Sequence, residues 1–100
     1  MAENSLKIPV IYNQDYTVFF ENDCGFTIIH CDCERWTKEV KKQLIDDFEK
    51  LCEIHRNEIY AVHEIGDVKH EKFLSIFKFS YLKDFVGTDG KLRQIFVRRT

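Results

Sequence analysis

The stretch WTKEVKKQLIDDFEKLCEIHRNEIYAVHEIGDVKHEKFLSIFKF, Trp36 to Phe79, decides the fold. Trp36, Val40, Leu44, Phe48 and Leu51 recur at spacings of four, four, four and three, with Ile45, Cys52 and Ile54 widening the stripe. That is helix period. Thr37 is the expected N-cap and Glu39 lies in the first turn, so the spacing predicts a helix over about Thr37 to Ile54. Lys38, Lys42, Asp46 and Lys50 form the outer face, with opposite charges four residues apart. Ile59 to Ile65 then reads as a short apolar strand, broken by Gly66-Asp67. Asp67 can cap a second helix to about Phe77 that buries Phe73, Leu74, Ile76 and Phe77.

Working outward, Tyr16 to Glu21 is β-branched and aromatic, and Asn22 to Gly25 is a turn. Phe26 to Cys33 is apolar at odd and even positions until Asp32, which predicts a central strand paired with its predecessor in a hairpin. Pro9 cannot donate to a ladder, so any strand over Leu6 to Tyr12 is short or at an edge. On the far side, Phe79 to Val86 and Leu92 to Arg98 flank the turn Gly87 to Lys91 and form a closing hairpin. The order is strand, strand, long helix, strand, short helix, strand, strand, with a short extra N-terminal strand allowed. The strand–helix–strand crossover needs parallel strands and the hairpins are antiparallel, which gives an α/β mixed sheet with helices packed on it.

One hundred residues make a single domain, and 44% apolar residues with nine Phe suffice for a core. Residues 1–7 are expected to be disordered. A net charge of −2 announces no nucleic-acid partner, and Arg98 with Arg99 reads as a solvated terminus. Met1 to Pro9 has no apolar core of a signal peptide, and no run is long enough to span a membrane, so the reading is intracellular with free thiols.

Three groups of residues could carry chemistry. Cys31 and Cys33 share a strand face, with His30 on the other and Cys24, Cys52 and His55 elsewhere. Zinc needs four converging N or S ligands, and a C-x-C with scattered partners favours buried thiols over metal. A nucleophilic Cys needs an electropositive, exposed setting, which neither the strand thiols nor Cys24 beside Asp23 supplies. Glu58, Glu64, His63 and His70 fall near ends of central strands; Glu64 or His70 is the candidate general base, against the commoner role of polar residues at strand ends. Nine Phe also exceed what a small core demands, and an exposed remainder would mark a contact surface.

From about Tyr16 to Arg98 the chain resembles the C-terminal two-thirds of the GNAT (Gcn5-related N-acetyltransferase) fold. The residues that carry the resemblance are Trp36 with its Lys-rich helix, Glu64-Ile65-Gly66, His70 with Phe73-Leu74, and the last hairpin around Thr88-Asp89-Gly90 with Gln94-Ile95-Phe96. It is most similar to small GNAT-like proteins of tailed phages, a group that includes an internal virion protein of T7-like phages. The resemblance implies that the usual first strand and helices are missing or reduced to Met1 to Tyr12. It also implies acetyl-CoA as cofactor, held at a Gly-rich loop opening the long helix, where main-chain N–H groups and the helix dipole grip pyrophosphate. Here that segment is Cys33-Glu34-Arg35-Trp36-Thr37-Lys38, without Gly and with an anion at Glu34; Arg35, Thr37 and Lys38 are the candidates left to attract phosphate. The position of the Tyr that protonates the leaving thiolate holds Leu74, and the Gly position before the next strand holds Lys78.

The expected function is therefore non-catalytic: a phage protein with no cofactor, acting on a viral or host protein in the virion or host cytoplasm, or self-associating through an open sheet edge. The alternatives are a divergent acetyl-CoA-dependent N-acetyltransferase, with Arg35, Lys38 or main-chain groups on the phosphates and Glu64 as base, and an inhibitor of a host defence or polymerase complex.

Overall fold

A computed structural model describes residues 6–99. The elements are β1 (Lys7–Tyr12), β2 (Tyr16–Asp23), β3 (Phe26–Cys33), α1 (Lys38–His55), β4 (Ile59–Glu64), α2 (Val68–Ile76), β5 (Ser80–Val86) and β6 (Leu92–Arg98). Six strands form one mixed sheet in the order β1-β2-β3-β4-β6-β5. All neighbours are antiparallel except β3 and β4, which are parallel as a helical crossover requires. The expected mixed α/β architecture is present. The expectation of disorder for residues 1–5 lies outside the described residues, while Lys7 opens β1. Pro9 sits in that edge strand beside a register irregularity between Pro9 and Ile11.

Both helices pack on one face of the sheet. From α1 come Val40, Leu44, Phe48 and Cys52, an unbroken spacing of four, and from the α2 segment Leu74 and the capping Phe77. The sheet meets them with Tyr16 and Val18, Ile29, and Ile59 and Ala61. By register, Thr17, Phe19 and Glu21, Ile28 and His30, Tyr60, Val62 and Glu64 point the other way, onto a face that no helix among the described residues covers. This corrects the reading of β3 as buried on both sides: Ile29 alone of its residues is fully buried, and Phe26 is exposed.

Three further expectations fail at element ends. Trp36 precedes α1 rather than opening its stripe and is 49% exposed, and Ile54 lies on the solvent face of α1. Arg98 is not a solvated terminus. It is buried, because it shares strand parity with Phe96 and so points under the helices, where it meets Glu49 and the carbonyl of Phe77.

The predicted caps hold. The Thr37 hydroxyl accepts from the Val40 amide at 3.1 Å and the Asp67 carboxylate from the His70 amide at 3.1 Å. At its other end α2 closes with the Phe79 amide on the Leu74 carbonyl and the Lys78 amide on that of Ser75, which places Lys78 at φ 64°. A side chain in that left-handed region is strained, and the gain from glycine exceeds its entropy cost. Lys78→Gly is therefore expected to stabilise the fold by roughly 0.5 kcal/mol, read as a higher urea midpoint. A lower midpoint would mean that the 3.7 Å contact of Lys78 with Glu49 contributes more than an exposed pair normally does.

Candidate functional site

The parallel strands β3 and β4 meet at a single register position, Ile28 opposite Tyr60. Past that point their C-terminal ends part, and a cleft of about 470 Å³ opens between them. His30, Cys31 and Asp32 form one wall and Val62 the other. The start of α2 roofs it with Asp67, Lys69 and His70, backed by Phe73 and Leu74. Parallel strands that diverge leave main-chain groups and inward side chains facing a gap, which is where ligands commonly bind in such sheets.

At this cleft the chemistry concentrates on His70, which lines it, and on His63 buried behind it. Nδ1 of His63 lies 2.9 Å from Nδ1 of His70, and the rings stack at 5.1 Å with a 24° tilt. His63 continues the buried register of Ile59 and Ala61 and is 1% exposed, whereas His70 is half-buried and lines the cleft. Burial, and then the charge of His63, hold the His70 imidazole below its ordinary value, with Asp67 acting the other way. At a separation of 2.9 Å one Nδ1 must carry a hydrogen and the other a lone pair.

The sequence-predicted residues divide sharply. Of the two candidate bases, His70 lines the cleft. Glu64 does not: it leaves β4 on the helix-free face and accepts from Arg93 Nε at 3.2 Å. Glu58 lies beyond the opposite end of β4, paired with Arg99 at 3.0 Å and accepting from the Tyr60 hydroxyl, so the expected four-residue cluster does not form. Of that group only His63 and His70 come together, where the parity of β4 and the i, i+3, i+4 spacing of His70, Phe73 and Leu74 both place them on one side.

Cys31 and Cys33 do occupy one strand face, but they are not the expected buried thiols: Cys31 is half-buried and Cys33, at the strand end, is exposed. Desolvation still pushes the Cys31 thiol up to about 12 and raises that of Cys33. Among the described residues no group of three or more His, Cys, Asp or Glu is placed to hold a metal ion. His30, on the opposite face, bonds Glu21 at 2.7 Å instead. The Cys24 thiol is raised by its hydrogen bond to Asp23, the reverse of an activated nucleophile.

The segment before α1 is tied down by the chain itself. The Asp15 carbonyl accepts from the amides of Glu34 at 2.7 Å and Arg35 at 3.3 Å. The Thr37 hydroxyl is committed to its helix. Arg35 and Lys38 are exposed, and neither they nor Thr37 line the cleft. Trp36 instead lies in a groove with Lys69, Lys72, Phe73 and Ile76 of α2. No helix among the described residues is long and apolar enough to cross a membrane. Comparison with family models, curated proteins and solved structures finds no match to the chain.

Proposed function

We propose that this chain is a GNAT-like protein of a tailed phage that has given up acetyl transfer and acts by contact with a viral or host protein. The mixed sheet, with a long helix crossing between its one parallel strand pair and a hairpin on either side, supports the likeness. The observation that carries the loss of chemistry is the Asp15 carbonyl. It occupies the amides of Glu34 and Arg35, at the turn where a pyrophosphate would need free donors. Leu74, at the position of the proton-donating Tyr, is buried and has nothing to donate.

A contact role also has a surface. The helix-free face carries an apolar groove of about 400 Å³ with Phe26, Ile28, Tyr60, Val62 and Ile95. The outer edge strand β1 exposes Ile8 and Tyr12 beside main-chain groups that pair with no further strand among the described residues. The partner is met in the virion or in the host cytoplasm; a host defence or polymerase complex is one such target.

The parted strands favour a second reading, a divergent N-acetyltransferase using acetyl-CoA. In it Arg35 and Lys38 would reach the phosphates from outside the cleft, and His70 rather than Glu64 would be the base. Calorimetry with acetyl-CoA separates the two. The contact reading expects no heat of binding at micromolar protein and cofactor, and a micromolar dissociation constant would overturn it. Presence in purified particles would then distinguish a virion component from a host-directed one.

A further inference from the structure

We propose that His63 and His70 form a one-proton latch that fastens α2 to the sheet and releases it on acidification. The two rings make the side-chain hydrogen bond between β4 and α2, and they are flanked by aromatic rings: Phe96 lies edge-on to His63, and Phe73 stacks on His70 at 6.3 Å. The hydrogen bond between the two Nδ1 atoms needs one hydrogen and one lone pair. The neutral pair satisfies it. A singly protonated pair also satisfies it, because the added proton can sit on an Nε2. A second proton removes the last lone pair between the rings. Two imidazoliums then face each other at hydrogen-bond distance with one of them buried, and the contact must open.

The surrounding charges set how far this is resisted. On α2, Glu71 lies 4.0 Å from His63 Nε2 and Asp67 caps the helix beneath His70, so both favour the first proton. Lys69, on the same helix, opposes it, and Asp32 of β3 and Lys7 of β1 line the same cleft with opposite signs. From β6, Gln94 faces His63 across the ladder and carries no charge. Cys31 of β3 lines the cleft as a neutral thiol. Glu64 and Arg93 lie on the other face, paired to each other. Among the described residues no carboxylate within hydrogen-bond distance of either ring compensates a second charge.

The direction follows from linkage. The unfolded chain protonates His70 near the ordinary value of 6.5, while the folded chain holds it lower. Between those two values the unfolded state binds more protons, so stability is full above about pH 6.5 and declines as pH falls through this window. The latch makes the decline local to α2, whose residues wall the cleft, so its release widens the cleft and uncovers Phe73.

Amide exchange by NMR, at pH 7.5 and 4.5 and normalised for intrinsic rates, tests this in the full chain. Protection of the α2 amides through Phe77 is expected to fall about tenfold more than that of Leu44 to Phe48 in α1. His70→Asn, whose amide can satisfy His63 Nδ1 without titrating, is expected to abolish the difference. Parallel loss in both helices, or a difference that persists in His70→Asn, would overturn the latch. If that variant fails to fold, the imidazole nitrogen shifts of the unaltered chain decide: two steps more than about one pH unit apart support it, and two independent single steps reject it.

Discussion

Phe48→Ala is expected to lower the unfolding free energy by about 4 kcal/mol, a large share of what holds a domain of this size together. Phe48 is 2% exposed and stands where four segments converge. Its ring meets Phe77 edge-on at 5.4 Å and stacks on Phe79 at 5.9 Å, so one side chain of α1 bridges the end of α2 and the entry to β5. The Arg98 guanidinium of β6 lies 5.1 Å from its centroid. Truncation leaves a cavity that this junction cannot close by sliding, because Lys78 and Phe79 are fixed by their bonds to the end of α2. Leu44→Ala, one turn earlier and buried to the same degree, removes fewer atoms and touches no ring pair, so it is expected to cost less, about 3 kcal/mol. Guanidinium denaturation of both variants checks the order. A loss below about 1.5 kcal/mol for Phe48→Ala would mean that α1 is not seated on this face as described.

The same residues show how far the amino-acid sequence reveals its structure. Val40, Leu44, Phe48 and Cys52 announce α1 because burial against a flat sheet selects one row of a helix, and that row repeats every four residues. Thr37 and Asp67 announce both helix starts because a cap is a local event within four residues. What is not legible is whatever depends on two distant segments. The bond from Glu34 and Arg35 to Asp15 is made by main-chain atoms, so no side chain signals it. The contact of His63 with His70 requires knowing that α2 folds back over β4. Glu64 is a candidate base because it falls near the end of a central strand, yet its position next to His63 in β4 places the two on opposite faces. Composition misled at Arg98, where a charged pair near the end suggested solvent. The alternation of Gln94, Phe96 and Arg98 already gave the inward direction.

That inward arginine supports the second large effect. Arg98→Ala is expected to cost about 3 kcal/mol, the range for breaking a buried charged pair. Nη2 donates to Glu49 at 2.8 Å on α1, Nη1 donates to the Phe77 carbonyl at 3.1 Å at the end of α2, and the guanidinium covers the Phe48 ring. Alanine removes all three at once. Glu49 is exposed enough to turn to water and keeps Lys78 nearby, so its carboxylate is not stranded, which holds the cost near the lower end of that range. The pH dependence gives an independent readout. The hydrogen bond from Arg98 holds the Glu49 carboxyl below its ordinary value of 4.5. A carboxyl lowered in the folded state contributes stability that is complete above the unfolded value and is lost as pH falls through the folded one. The unaltered chain should therefore lose this contribution below about pH 4.5, and the Arg98→Ala chain should show a shallower slope there, having already lost it. Equal slopes in the two chains would show that Glu49 is not the partner that anchors Arg98. The stability lost in Arg98→Ala would then come from the Phe77 carbonyl and the Phe48 ring alone.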